Sequence, residues 1–123
     1  MIDWLKYPDF QEHELACKCG CGKSGVTVEL MNKLQGLRTV YGKPMKVTSG
    51  YRCPDHPDEA KKTRPGAHAQ GTAADIRTVT GTEKYELKKL AFQMGFVGIG
   101  DAKTFTHLDV GHDTANRPAS WSY

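Results

Sequence analysis

Residues 49–76 read SGYRCPDHPDEAKKTRPGAHAQGTAADI. Most of this stretch is poor in apolar residues, yet both of its flanks are patterned like core. Upstream, residues 45–49 (Met-Lys-Val-Thr-Ser) alternate as a short strand does, and Gly50 marks the exit. Tyr51, Arg52 and Cys53 then lead into a proline- and charge-rich loop over 54–66, of a size at which loops tend to carry function. Downstream, residues 72–79 (TAADIRTV) fit a buried strand. Ala73, Asp75 and Arg77 share one of its faces, and Ala74, Ile76 and Thr78 the other. A carboxylate at position 75, where such a strand ordinarily carries an apolar group, needs a partner.

Working outward, Leu30, Leu34, Leu37 and Tyr41 recur at helical spacing, with Met31 widening the stripe. Thr27 is positioned as a cap, and Gly42 followed by Lys43-Pro44 stops the pattern, so a helix is expected over about 27–41. Thr80-Gly-Thr-Glu83 is a capping box for a second helix over about 81–94, burying Leu87, Leu90, Ala91 and Met94. Phe96–Ile99 is a strand candidate interrupted by Gly98. Residues 105–110 form the next, with Phe105, His107 and Asp109 facing one way. In the tail, Trp121 is expected to plug one end of the core. The order helix, strand, long loop, strand, helix, strand, strand is an α+β pattern, a small antiparallel sheet with two main packed helices. Residues 1–123 are expected to form a single domain, with 1–25 an N-terminal arm and Cys-rich loop that packs Trp4 and Phe10 on it.

Composition excludes several classes. With 38% apolar and 25% charged residues the chain is neither disordered nor membrane-like, and no apolar run approaches the ~18 residues of a span. The net charge of +3 comes from Lys and Arg mixed among acids, which argues against nucleic acid as a partner. A mild positive field suits an anionic polymer such as a bacterial wall. The start, MIDWLKYPDFQEHE, lacks the apolar region of a secretory signal. Either the chain stays where it is made, or something other than a signal peptide exports it, and a monomer is expected.

Cys17, Cys19 and Cys21 are followed only by Cys53. Neighbouring cysteines at this spacing would form strained disulfides. One of the three pairing with Cys53, a metal held by all four, and free thiols in a reducing compartment all stay open.

His68, Asp75 and His107 are the residues that point to chemistry. Two imidazoles and a carboxylate suit a catalytic Zn²⁺ that keeps a position open for water. The competing reading is a pair of hydrogen-bonded core histidines. His56 and the cluster Lys61-Lys62-Arg64 on the preceding loop either line a groove or are simply solvated, and His112 is expected just outside the site.

The segments SGYRCP, GAHAQGTAADI, GFVGIG and FTHLDVG together resemble the M15 group of zinc peptidases, which includes D-alanyl-D-alanine carboxypeptidases and L-Ala-D-Glu endolysin peptidases. Within that group they are similar to the small branch whose second motif reads His-x-Asp, over roughly residues 25–112. The resemblance implies a hedgehog/D-Ala-D-Ala-peptidase-like fold, zinc held by His68, Asp75 and His107, and mixed-chirality peptides of bacterial peptidoglycan as substrate. It implies that Arg52 polarises the scissile carbonyl or binds a substrate carboxylate. Many members place an acid three residues before the last histidine; here that position is Thr104, which cannot act as a base. Asp109, in the His-x-Asp motif, is the favoured base, with orientation of a ligand histidine as its other role. Asp101 is the backup, resembling the placement of an acid in the related hedgehog domain. A wall-binding module or a virion structural domain with a structural zinc is the alternative to an enzyme.

Overall fold

The computed structural model describes residues 2–60, 62, 66–111 and 116–123. Lys61, Arg64 and His112 lie outside the described residues. After a 3-10 turn at Trp4–Lys6 come α1 (Glu12–Leu15), α2 (Val28–Tyr41), β1 (Val47–Ser49), α3 (Pro57–Ala60), β2 (Ala73–Arg77), α4 (Gly81–Gln93), β3 (Gly98–Asp101), β4 (Phe105–Asp109) and β5 (Ala119–Ser122). The five strands form one sheet in the order β1-β2-β4-β3-β5. Neighbours pair antiparallel except β3 and β5, which are parallel. The fold is therefore the expected small α+β arrangement with two main helices, but its sheet is mixed.

The helices start where their caps dictate. The Thr27 hydroxyl accepts from the Leu30 N–H at 3.2 Å. At α4, Thr80 accepts from the Glu83 N–H while the Glu83 carboxylate accepts from the Thr80 N–H, so the capping box is closed both ways. Both helices lie on one face of the sheet. Leu30, Met31, Leu34 and Leu37 from α2 and Leu87 and Ala91 from α4 meet Ala74, Ile76, Ile99 and Leu108. The N-terminal arm closes this core with Tyr7, Phe10 and Leu15, and Trp4 packs against it half-buried. Leu90 and Met94 are likewise only partly buried.

The tail corrects the expectation for Trp121. Rather than plugging the core, it belongs to β5, opposite Gly100, on the sheet face away from the helices. A Cβ at Gly100 would lie 2.5–2.7 Å from the indole, so the glycine is what lets the ring approach β3 this closely. Among the described residues no helix is long and apolar enough to cross a membrane.

Candidate metal centre

Register brings the predicted ligands together. Asp75 on β2 pairs directly with His107 on β4, and Ala73 with Asp109. The face of β2 that carries Asp75 is thus the face of β4 that carries His107 and Asp109, because side chains alternate in step on paired strands. His68 reaches the same place from the turn before β2. Its Nδ1 lies 2.7 Å from the Gly50 carbonyl, and its own carbonyl accepts from the Arg52 N–H at 3.2 Å. The exit of β1 therefore aims the ring.

His68 Nε2 lies 3.3 Å, and His107 Nδ1 3.1 Å, from the same oxygen of Asp75, Oδ1. The two rings stand edge to face with centroids 5.1 Å apart. All three residues are buried. A carbonyl only accepts, so Nδ1 of His68 carries the proton and Nε2 turns its lone pair toward Asp75. His107 Nε2 lies 2.7 Å from Oδ2 of Asp109 and donates to it, which leaves Nδ1 as a second lone pair facing the same oxygen. Three electron-pair donors converging with no proton between them fit a cation. Nitrogen and carboxylate donors of this kind suit zinc. Without a cation, protons between these atoms take its place: burial works against the Asp75 charge, but hydrogen bonding with His107 and then His68 outweighs it and holds the carboxyl well below the usual range. Burial likewise disfavours an imidazolium at His107, yet Asp109 and Asp75 together push its pKa upward. The pocket attracts positive charge, whether a proton or a metal.

The other predicted residues divide. Arg52 is at the site: Nη2 lies 3.5 Å from the second oxygen of Asp75, and Nε donates to Ser49 Oγ at 3.2 Å. Asp109 lies on the far side of His107 from the cluster and is fully buried. Its oxygens accept from Arg117 Nη2 at 2.7 Å, Arg117 Nε at 3.0 Å and the Gly111 N–H at 2.9 Å. Burial opposes its charge, but His107 and Arg117 hold its carboxyl far below the usual range. Gly98 makes the room, since a Cβ there would collide with this carboxylate. Asp101 is on the opposite face of the sheet, paired with Lys88 at 3.1 Å and Lys84 at 3.5 Å from α4. Lys88 first, then Lys84, holds its carboxyl below the usual range.

Above the cluster opens a cleft of about 420 Å³ whose walls include Arg52, Lys62, Asp58, Phe105, Arg117, Trp121 and Tyr123. Neither Asp109 nor Asp101 borders it. Asp58 and Asp75 are the carboxylates that do, among the described residues. Arg117 lies with its guanidinium 4.8 Å from the Trp121 ring, and Trp121 lies 5.1 Å from His107. The roles of Arg117, Trp121 and Tyr123 at the site were not foreseen from sequence. The available signal was the alternation Ala-Ser-Trp-Ser-Tyr over 119–123, which is that of a strand with two aromatics on one face.

The profile of the peptidase M15 family matches residues 8–109, from the N-terminal arm to the end of β4. The chain belongs to the peptidase M15 family. No curated protein matches it closely enough to count as a relative. In this M15 peptidase, His68, Asp75 and His107 form the His-Asp-His metal-binding triad. The matched span ends at Asp109, so β5 and its aromatics extend the cleft beyond the part common to the family profile.

Proposed function

We propose that this M15 peptidase hydrolyses amide bonds in the stem peptides of bacterial peptidoglycan, as a D-Ala-D-Ala carboxypeptidase or an L-Ala-D-Glu endopeptidase. The observation that carries this is the convergence of His68, Asp75 and His107 beneath a cleft bordered, among the described residues, by three cations, Arg52, Lys62 and Arg117. Stem peptides are short and rich in carboxylates, so a positive cleft attracts them. Zinc held by the triad would supply a Lewis acid that polarises the scissile carbonyl and makes water acidic near neutral pH.

The side chains do the rest. Arg52, tethered by Ser49 beside Asp75, faces the cleft and stabilises negative charge developing on the carbonyl oxygen; losing such a donor costs about 3 kcal/mol. Asp109 acts through His107, fixing its tautomer and ring angle, and is itself clamped by Arg117. It is a positioning residue rather than the base, because its oxygens are turned away from the cleft. Among the described residues, Asp58 on the cleft wall is then the carboxylate placed to take a proton from water and return it to the leaving amine.

The test is mass spectrometry of purified peptidoglycan digested by the zinc-loaded protein. New amine and carboxyl termini at one bond type are expected, and none with His68→Ala. One observation favours a second reading, a wall-binding module: both acids first considered as the base are committed elsewhere. Wall binding without release of any new terminus would establish that instead.

A further inference from the structure

The four cysteines lie away from the catalytic cleft and are not used by it. Their sulfurs gather within 4.8 Å of one another. Cys53 Sγ lies 3.3 Å from Cys19 Sγ and 3.6 Å from Cys17 Sγ. A disulfide would need about 2.05 Å. Four sulfurs around a tetrahedral zinc at about 2.3 Å stand roughly 3.8 Å apart. The observed spacing is therefore that of a sulfur cage and not of a cross-link.

The backbone is arranged to support negative sulfur. The Cys53 N–H donates to Cys17 Sγ at 3.3 Å and the Lys23 N–H to Cys21 Sγ at 3.4 Å, contacts that strengthen when the acceptor is a thiolate. The loop is closed by the Cys17 N–H donating to the Lys23 carbonyl at 2.7 Å. Gly20 and Gly22 take left-handed φ values of 103° and 69°, which curl the loop so that alternate residues turn their sulfurs inward. Cys17 and Cys53 are buried while Cys19 and Cys21 are exposed, so the cage sits half in the protein and half at its surface.

We propose that Cys17, Cys19, Cys21 and Cys53 bind a second zinc ion, a structural one that ties the N-terminal loop to the segment after β1. Binding converts four thiols to thiolates and releases their protons to solvent, with no change of oxidation state. The fourth ligand has a consequence for the catalytic centre. Cys53 follows Arg52, and Gly50 provides the carbonyl that orients His68. The Tyr51 N–H also donates to the Leu15 carbonyl at 2.8 Å, so the two segments are already in contact. An ion at the cage would hold in place the stretch that aims both residues.

The test counts metal independently of turnover. The His68→Ala/His107→Ala variant, purified anaerobically and given Zn²⁺, is expected to retain one zinc per chain, with all four thiols protected from a thiol reagent. Co²⁺ in place of zinc should give the thiolate-to-cobalt charge-transfer absorption of a four-sulfur site. Cys21→Ser, at an exposed loop position, should weaken that absorption to that of three sulfurs or fewer and lower the thermal midpoint. Four freely titrating thiols in the zinc-treated variant, or a mass lower by two hydrogens showing a disulfide, would overturn the proposal. Because the variant lacks the catalytic ligands, either result leaves the peptidase assignment to its own experiment.

Discussion

At the centre of the sheet the two faces are almost equally buried, for opposite reasons. On the helix side Ala74, Ile76, Ile99 and Leu108 are at most 1% exposed, and on the other side Asp75, His107 and Asp109 are at most 4% exposed. The first face gains from losing water, at roughly 25 cal/mol per Å² of apolar surface. The second gains nothing from dehydration and is tolerable only because each polar atom has a partner: Asp75 and the two histidines a proton or cation shared between them, His107 also Asp109, and Asp109 an arginine and a backbone N–H. On the helix side a truncated side chain costs its own packing but leaves no neighbour with a stranded polar atom. The cleft side has no slack, because removing one partner strands the next.

Substitutions that separate the faces should rank as follows. His68→Ala removes a ligand outright, and release of stem-peptide fragments should fall to background in a digestion assay. Asp58→Asn tests whether the proton acceptor lies off the sheet altogether; kcat should drop about 10²–10⁴-fold with zinc stoichiometry unchanged, and an unaltered kcat would return the search to other groups. Leu108→Ala, one residue from His107 but on the helix side, should cost about 2–5 kcal/mol in denaturant unfolding while the folded fraction keeps its zinc. Asp109→Asn should weaken zinc binding about 10–100-fold in a competition titration, through the loss of a firm hold on His107. If it abolished turnover without touching zinc affinity, Asp109 would be the base after all.

The smallest effect is in pH dependence. In the zinc-free protein the raised His107 pKa contributes stability that is complete below about 6.5 and is lost as pH rises through the folded value. The depressed Asp75 and Asp109 contribute stability that is present above about 3.9 and is lost as pH falls through their folded values. Zinc requires His107 unprotonated at Nδ1, so protons compete with the metal. The gain in thermal midpoint on adding zinc, taken as the excess over that of the His68→Ala/His107→Ala variant so that the sulfur site cancels, should therefore grow from about pH 5.5 to 8. A gain that is flat across that range would mean His107 is not a ligand.

Much of the fold and of the metal centre was legible in the chain itself. Helix caps and stops are local chemistry, and Thr27, Thr80 and Glu83 act where they were expected to. The alternation around Asp75 and His107 correctly placed each on one strand face, since the side-chain period of a strand is a property of the backbone. The four-residue α1 and α3 were too short to leave a periodic signal.

What sequence could not decide was which face met which, and what stood behind each ligand. Asp109 was the favoured base and Asp101 the backup on their places in the chain alone, two residues after and six before His107. The pairing of Asp101 with Thr106 and of Asp109 with Gly98 sends one carboxylate to the lysines of α4 and the other behind the imidazole. Arg117 and Trp121 reach the cleft only because β5 runs parallel to β3, a pairing made across the sheet rather than along the chain. Residue identity sets what a side chain can donate or accept; the long-range register of strands sets what it finds there.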